Sequence, residues 1–212
     1  AFATHDTSAY DLVISSSHAF EKFIRPRSGA IHVCYCYSPP RFLWGMQDSY
    51  AERAGPGGRL ALAAAGPAFR ALDRPAAGGV TGFAAISRYI ADRVRRSYGV
   101  DADVVYPPVA AKPSVKDVSV TVPSEPYLVH IGRLVEYKRI DLVVEAAQQL
   151  NMRLVIAGSG PELASLTRMA GAGVEFRGEV SEAEASALLS GCSAFVFAGE
   201  EDFGISLVEG NG

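Results

Sequence analysis

Residues 127–170 read YLVHIGRLVEYKRIDLVVEAAQQLNMRLVIAGSGPELASLTRMA, and this stretch decides the fold prediction. Two short apolar runs rich in β-branched residues, YLVHI and RLVIA, are typical of buried strands. Each run is followed by a loop that contains glycine and then by a segment with helical periodicity. Strands that alternate with helices in this way predict a parallel sheet covered by helices, which is the α/β class.

The same alternation continues to the end of the chain. We predict strands at 127–131, 153–157, 174–177 and 194–198, and helices at 140–150, 161–170, 181–190 and from Gly204 onward. Pro161 stands at the first position of its predicted helix, and Ser181 is the predicted N-cap of the next one. Ligands of open parallel sheets bind beyond the carboxyl ends of the strands, so the loops that follow the strands are the candidate binding loops.

The first half of the chain also predicts strands, at 11–17, 31–36, 80–86 and 103–106. Residues 87–98 (SRYIADRVRRSY) form a predicted amphipathic helix with Ser87 as its cap and Gly99 at its end. The proline-containing stretch 110–126 has little apolar periodicity and is predicted to be a linker. We therefore place one domain at residues 1–109 and a second at residues 110–212.

Composition is that of an ordinary soluble protein, with 49% hydrophobic and 20% charged residues. No run approaches the roughly 18 apolar residues that span a bilayer, and no signal peptide is visible. Three cysteines are too few for a disulfide framework and fit a reducing cytosol; we predict Cys34 and Cys36 as small buried residues on one strand face. Because the chain starts at Ala1 rather than Met, we expect a fragment.

Charge is divided unevenly along the chain. Residues 1–112 contain 13 Lys and Arg against 9 Asp and Glu, whereas residues 113–212 contain 7 against 14. The asymmetry indicates two domains with different partners. Chance variation in surface composition is the alternative interpretation.

Cations follow the first strand of the second half, in GRLVEYKR (132–139). Arg133 can bind a phosphate through two hydrogen bonds and Lys138 as a point charge, so this loop predicts a polyphosphate site. A solvated basic loop is the alternative. The next loop, GSGPE (158–162), matches only half of a dinucleotide-binding fingerprint, because Leu163 stands where the third glycine is needed. Its tight turn at Gly160 still lets a ligand approach the backbone.

The last loop, EEDFGISLVE (200–209), combines carboxylates with the start of a helix. The backbone N–H groups of residues 204–206 can receive a phosphate. Since carboxylates repel a phosphate, we assign Glu201 and Glu209 to hydroxyl groups on two different parts of one ligand. A nucleoside-diphosphate sugar, with a diphosphate between two sugars, meets this requirement. A divalent metal held by residues 200–202 is the competing interpretation.

Four blocks in order, GRLVEYKRIDLVVEA, LVIAGSGPE, FRGEVSEAE and FVFAGEEDFGISLVE, resemble the successive motifs of the family 4 (group 1) glycosyltransferases. More loosely, YDLVISSSHAFEKF and HVCYCYSPPRFLW resemble a subgroup that includes bacterial mannosyltransferases of polysaccharide assembly. The resemblance implies the GT-B fold, an α/β architecture of two Rossmann-like domains with parallel sheets, here truncated at both chain ends. It also implies retention of configuration at the transferred sugar, with GDP-mannose as the favoured donor.

The resemblance assigns a role to each matching position. Arg133 and Lys138 would bind the donor diphosphate and, with Glu201, carry catalysis; Glu201 would contact the transferred sugar. Glu209 would contact the ribose. The remaining donor-binding positions are Gly160, Val180, Phe203, Gly204 and Ile205. No metal or other cofactor is implied, because two cations and a helix N-terminus can stabilise the leaving diphosphate. Asp101-Ala102-Asp103 formally matches a metal motif of another glycosyltransferase fold but lies far along the chain from these loops.

The implied activity is transfer of a hexose from a GDP- or UDP-sugar to a glycan or lipid-diphosphate acceptor in the cytoplasm. Four arginines would let the basic first domain touch the cytoplasmic face of a membrane: Arg88, Arg93, Arg95 and Arg96. No nucleic-acid partner is predicted. Tyr37 replaces a subgroup histidine that faces the sugar, which, with the missing chain ends, keeps a non-catalytic nucleotide-sugar-binding relative open as an alternative. A sugar-nucleotide epimerase is a second alternative, because such enzymes share the GT-B fold. His18 is a further candidate for the cleft, against a plain surface or core role. The fragment alone is expected to be inactive.

Overall fold

A computed structural model describes residues 2–109 and 121–210, apart from the side chains of Ser49, Arg53 and Glu209. Most of the predicted linker, residues 110–120, lies outside the described residues. The chain divides into two compact units, Ala1–Pro107 and Pro108–Gly212. Each unit contains a four-stranded sheet whose strands all pair in parallel. The predicted α/β class with two parallel sheets is therefore confirmed.

The first sheet has the order β1-β2-β3-β4, which is also the order along the chain. Its strands are β1 (Leu12–Ser17), β2 (Ile31–Cys36), β3 (Gly82–Ala85) and β4 (Ala102–Val104), and its helices are α1 (Gln47–Arg53), α2 (Gly55–Gly78) and α3 (Arg88–Tyr98). Each connection in this sheet leads to the neighbouring strand on the same side. When right-handed crossovers all step in one direction, their helices lie on the same face of the sheet. One face of the first sheet is accordingly packed and the other is open among the described residues.

The burial of β1 and β2 follows this one-sided arrangement. Val13 and Cys34 point into the packed face, and Cys36 joins them, so the prediction that both cysteines are buried is confirmed. On the other face Ile14 is 65% exposed and Ile31 is 51% exposed. Parallel strands with one wet, apolar face are uncommon, since such sheets are usually covered on both sides.

Helix α2 was absent from the sequence prediction, which left residues 47–78 without an element. Its buried positions are small or charged, Gly66, Asp73 and Ala77, whereas Leu60 and Leu72 are exposed. A buried stripe of this kind carries no hydrophobic periodicity. The helix also contains two internal prolines, which normally argue against a helix.

Asp73 holds α2 against three other segments of the first unit through three buried polar contacts. Its carboxylate pairs with the Lys22 ammonium at 2.7 Å and accepts hydrogen bonds from Trp44 Nε1 and the Tyr98 hydroxyl, each at 2.8 Å. Burial raises the pKa of Tyr98, and the neighbouring Asp73 charge raises it further, so the hydroxyl remains a donor at any physiological pH. The Oδ1 of the buried carboxylate thus has an ion-pair partner in Lys22, and the Oδ2 accepts both hydrogen bonds.

The second sheet has the order β7-β6-β5-β8 and is covered on both faces. Its elements are β5 (Tyr127–Ile131), α4 (Ile140–Gln149), β6 (Arg153–Ala157), α5 (Leu163–Met169), β7 (Val174–Gly178), α6 (Glu182–Gly191), β8 (Ala194–Phe195) and α7 (Ile205–Gly210). Because the order steps outward from β5 in both directions, α4 and α5 pack on one face and α6 on the other. Alternate residues of β5 enter the two cores, Leu128 with α4 and Val129 with α6.

Most predicted element ends agree with the structure to within two residues, and two of the differences concern elements next to the candidate loops. Pro161 is not in a helix: it forms a turn with Glu162, in which the Leu163 N–H donates to the Gly160 carbonyl, and α5 begins only at Leu163. The predicted strand 194–198 shortens to Ala194–Phe195 at the sheet edge, although the Val196 N–H still bonds to β5. The predicted caps are confirmed, since the Ser87 and Ser181 hydroxyls accept from the N–H three residues on.

Candidate donor-binding site

The four candidate loops lie together at one edge of the second sheet. All four strands run in parallel, so their carboxyl ends meet there. The order 7-6-5-8 reverses direction between β5 and β8, and such a reversal leaves a crevice in which ligands of open α/β sheets bind. The two loops that border this point are 132–139 after β5 and 196–204 after β8. They are the loops that carry the predicted cations and carboxylates.

Lys138 and Glu201 meet across this crevice. The Lys138 Nζ lies 3.0 Å from the Glu201 Oε1, and both side chains are mostly buried, at 16% and 22% exposure. Lys138 also lies 5.7 Å from the centre of the Phe197 ring. The structure thus brings together two predicted site residues that are 63 positions apart in the chain. In this state each neutralises the other.

Arg133 is exposed because its neighbours anchor the loop. Leu134 and Val135 are buried, Leu134 in the core beneath α4. No hydrogen bond or ion pair joins the Arg133 guanidinium to another residue of the described chain. Arg139, by contrast, is held by Asp141, whose carboxylate it contacts at 2.8 Å. Arg133 therefore offers its five N–H donors to a ligand.

Glycines let three of the four loops pack directly on one another. A Cβ on Gly158 or Gly160 would overlap the carbonyl oxygen of Gly132 or Leu134, and one on Gly199 would overlap the backbone of Lys138. Leu134 N–H donates to the Ser159 carbonyl at 2.9 Å. The space that a side chain on Gly160 would need is thus occupied by the loop that carries Arg133, and the approach of a ligand to the Gly160 backbone stays a prediction.

The remaining predicted positions are placed as follows. Val180 is half-buried and packs against the core under α6. Phe203 and Gly204 precede α7, and Gly204 has a φ of 78°, which favours glycine. Ile205 is 48% exposed at the first position of α7. The side chain of Glu209 lies outside the described residues, so its assignment to the ribose stays a prediction.

His130 is a residue of this edge that sequence reasoning missed. It is the penultimate residue of β5, is fully buried, and its Nδ1 lies 3.0 Å from the Val196 carbonyl oxygen. Burial lowers the pKa of His130. A polar residue inside the otherwise apolar run YLVHI was the only signal in the sequence.

Residues proposed for the first domain are less concentrated. Tyr37, at the end of β2, is 40% exposed and its hydroxyl accepts from Ser16 Oγ at 3.2 Å. His18 is exposed and pairs with Glu21 at 3.5 Å. Arg93 is buried and donates to the Trp44 carbonyl, which excludes it from the predicted membrane-contacting set. Arg88, Arg95 and Arg96 are exposed.

The described ranges contain neither a metal-binding cluster nor a membrane-spanning helix. No three His, Cys, Asp or Glu side chains there are grouped so as to hold a metal ion. No helix in those ranges combines the length and the apolar character needed to cross a bilayer. Asp101 pairs with Arg95 at 2.8 Å.

Solved structures with this arrangement are glycosyltransferases of the GT-B fold. A sucrose-phosphate synthase from Thermosynechococcus elongatus matches with a TM-score of 0.64 and 16% identity, over 95% of this chain and 54% of its own. The lipopolysaccharide outer core galactosyltransferase WaaB matches at 0.58 and 16%, over 94% and 53%. TarM matches at 0.53 and 18%, over 68% and 30%. The chain thus spans between a third and about half of these structures, and it has the GT-B fold.

A family model matches the second half of the chain. Residues 112–211 match the family described as Glycosyl transferases group 1. No curated protein sequence matches the chain significantly. The match covers every loop of the candidate site, so the second unit carries the sequence pattern of a group 1 glycosyl transferase.

Proposed function

We propose that the chain is part of a retaining glycosyltransferase that moves a hexose from a nucleoside-diphosphate sugar to a glycan or lipid-linked acceptor. The observation that carries the proposal is the pairing of Lys138 with Glu201 at the crevice between β5 and β8, on a loop that also carries Arg133, whose guanidinium pairs with no described residue. The group 1 match over residues 112–211 supports the same class of reaction.

The charges of the site fit the leaving group of such a reaction. A diphosphate gains negative charge as the bond to the sugar breaks, and Arg133 and Lys138 can neutralise that charge without any proton transfer. When the diphosphate binds the Lys138 ammonium, Glu201 shares that positive charge with the diphosphate. Glu201 is then available to accept hydrogen bonds from sugar hydroxyls. The N–H groups at the start of α7 have no acceptor within their own helix and add donors on the β8 side.

Cofactor, sugar and acceptor belong to the proposal. The two cations make a metal unnecessary for departure of the diphosphate. The resemblance of the CYCYSP segment to the mannosyltransferase subgroup favours mannose and hence GDP-mannose, although Tyr37 replaces the histidine of that subgroup. A lipid-diphosphate acceptor would bring the protein to the cytoplasmic face of a membrane, with Arg88, Arg95 and Arg96 as its exposed cations.

Binding of UDP and GDP to the chain tests the site, measured by isothermal titration. We expect Arg133→Ala and Lys138→Ala each to weaken the better ligand at least tenfold, since each removes a charge-assisted hydrogen bond. Arg153→Ala is the matched control, because this arginine begins β6 at the opposite edge of the sheet and is held by Glu175 at 2.8 Å. Equal affinities in all three variants would refute the donor site.

Glu201→Gln tests whether Glu201 binds the sugar part of the donor rather than the diphosphate. We expect this variant to bind the bare nucleoside diphosphate as well as or better than the parent, because a nearby negative charge is lost. Affinity for the intact sugar nucleotide should fall instead. If both ligands weaken equally, Glu201 holds Lys138 rather than the sugar.

The two alternatives are distinguished by product analysis of the longer protein. A transferase releases the nucleoside diphosphate and glycosylates an acceptor, an epimerase returns an altered sugar nucleotide, and a binding protein does neither. A non-catalytic binding protein stays among the alternatives because Tyr37 replaces the histidine of the mannosyltransferase subgroup. Tyr37→His is therefore the variant to compare.

A further inference from the structure

Helix α2 of the first unit carries its large apolar side chains on the outside. Leu60 is 73% exposed, Leu72 is 62% exposed and Phe69 is 46% exposed. A surface helix normally buries such residues and turns its polar ones to the solvent. Phe69 and Leu72 are three positions apart and therefore lie on the same side of the helix. This helix thus presents apolar surface that the described part of the first unit leaves uncovered.

A cavity of about 340 Å³ lies beside this part of α2. Phe69 and Leu72 form one of its walls. The other wall consists of apolar residues before and after β1: Phe2, Ala3, Phe20 and Phe23. The Phe20 and Phe23 rings pack edge to face, with 5.7 Å between their centres. The volume lies within the range of small-molecule pockets, roughly 300–1,000 Å³, and the wholly apolar lining suits a hydrocarbon group.

A second cavity, of about 430 Å³, adjoins the first along α2. Phe23 and Leu72 line both cavities, and the lining of the second also includes Arg25. We call the two cavities together the α2 groove, which runs between residues 20–26 and residues 69–79. The groove is aromatic and apolar in its first cavity and carries charge only in its second.

The charged residues that line the α2 groove are two cations, Lys22 and Arg25. The Lys22 ammonium is already neutralised, since it pairs with Asp73 at 2.7 Å and donates to the Ala19 carbonyl at 2.6 Å. Arg25 is exposed, and no hydrogen bond or ion pair joins its guanidinium to another described residue. No Asp or Glu among the described residues lines either cavity. The groove therefore favours an anion at Arg25 and an apolar group in the aromatic cavity.

We propose that the α2 groove binds one lipid that carries phosphate, with its hydrocarbon chain in the aromatic cavity and its phosphate at Arg25. Each methylene group that leaves water adds to the affinity, and a guanidinium binds phosphate through two parallel hydrogen bonds. Six side chains line the aromatic cavity, whereas a stable protein interface uses roughly 20–30 residues a side. A role for this lipid as the acceptor rests on the proposed function, but its binding does not require the donor.

Three probes, each used below its critical micelle concentration where it has one, test the inference by isothermal titration of the chain: dodecyl phosphate, dodecyltrimethylammonium and inorganic phosphate. The first has both the chain and the anion, the second reverses the charge of the head, and the third lacks the chain. We expect dodecyl phosphate to bind and each of the other two to bind at least about tenfold more weakly.

Leu72→Glu should weaken the binding of dodecyl phosphate at least about tenfold, because a carboxylate then lies in the wall of both cavities. Leu60→Glu is the matched control, since it makes the same change on the same helix, at a side chain that is at least as exposed and lines neither cavity. We expect the control to stay within about twofold of the parent.

Arg25→Gln tests the end of the groove that holds the phosphate. We expect it to weaken dodecyl phosphate about fivefold, through loss of a charge-assisted hydrogen bond, and to leave dodecyltrimethylammonium unchanged or tighter. Arg59→Gln removes another exposed arginine, which belongs to α2 but lines neither cavity, and should change neither affinity.

Two results would refute the groove. Equal losses in Leu72→Glu and Leu60→Glu, or binding to phosphatidylglycerol vesicles without binding to dodecyl phosphate, would show that α2 meets a membrane surface instead. A loss in Lys138→Ala as large as in Arg25→Gln would place the phosphate of the probe at the donor site. Failure of the proposed function is separate: unchanged affinity for UDP in Lys138→Ala refutes the donor site and leaves the binding of dodecyl phosphate as it is.

Proton NMR of the unmodified chain gives a test that needs no variant to fold. Nuclear Overhauser effects should join the methylene protons of dodecyl phosphate to the ring protons of Phe20, Phe23 and Phe69. Effects that reach only aromatic rings outside the α2 groove would overturn the proposal.

Discussion

Single glycines determine how closely the loops of the candidate site approach one another. Gly158 and Gly160 leave no room for a side chain because the backbone of the loop that carries Arg133 occupies that space. The Leu134 carbonyl in turn accepts from the Glu162 N–H at 3.1 Å. The position of Arg133 therefore depends on residues of the next strand-end loop.

Gly160→Ala should destabilise the second unit by about 2 kcal/mol, because the added methyl forces two backbone segments apart. Gly173→Ala is the matched control: its Cβ would meet only the Met152 carbonyl oxygen, at an ordinary 3.7 Å. We expect the control to stay within about 0.5 kcal/mol of the parent in urea unfolding. Equal stability of the two variants would show that the loops can separate at little cost.

Helix α6 of the second unit begins at a residue whose side chain replaces a missing backbone partner. Ser181 starts α6, its hydroxyl accepting from the Glu184 N–H at 3.2 Å, and Glu182 and Glu184 place acidic charge in the first turn. The cap also ends the loop that contains Val180. The cap of α6 thus also holds the end of a loop at the edge of the sheet where the candidate site lies.

Ser181→Ala should lower the free energy of unfolding by about 1 kcal/mol through loss of the cap. Ser190→Ala is the same substitution at an exposed position inside α6, where alanine is the better helix former, and should be neutral or slightly stabilising. Chemical denaturation of both variants measures the difference. A cost at Ser190 as large as at Ser181 would rule out capping as the cause.

Each unit of the molecule contains one buried, neutral histidine. In the first unit, a hydrogen bond of 2.9 Å joins the His32 Nε2 to the Ser15 Oγ. In the second unit, His130 lies in β5. Burial lowers the pKa of both rings below the ordinary value of 6.5. The unfolded chain then binds protons at a higher pH than the folded chain does, so folding is penalised as the pH falls.

We expect the contribution of these two histidines to stability to be constant above about pH 6.5 and to fall as the pH drops from there toward 5, by up to about 1.4 kcal/mol per pH unit for each histidine. Carboxylates with a lowered pKa, such as Glu175 bonded to Arg153, act only below about pH 4.5. Thermal unfolding at several pH values measures the slope. His130→Phe should reduce it, whereas His18→Gln, which changes an exposed side chain, should not. A slope that is unchanged in His130→Phe would contradict the assignment.

How much the sequence could predict depended on whether a signal was local. Strands such as YLVHI and RLVIA are visible because both of their faces are buried in one continuous apolar run. The caps at Ser87 and Ser181 are visible because their partners lie three residues away. Helix α2 was invisible because its buried stripe consists of Gly66, Asp73 and Ala77, and Asp73 finds Lys22 and Tyr98 only after folding.

By itself the sequence determined the α/β class and the strand-end loops, and it predicted a diphosphate site at Arg133 and Lys138, since these follow from hydrophobic periodicity and side-chain chemistry. Tertiary structure alone decided the strand order 7-6-5-8, and with it the crevice at which Lys138 meets Glu201. It also packed Gly160 against the loop that carries Arg133 and brought His130 near the lysine. These features depend on distances between residues far apart in the chain, which no local pattern records.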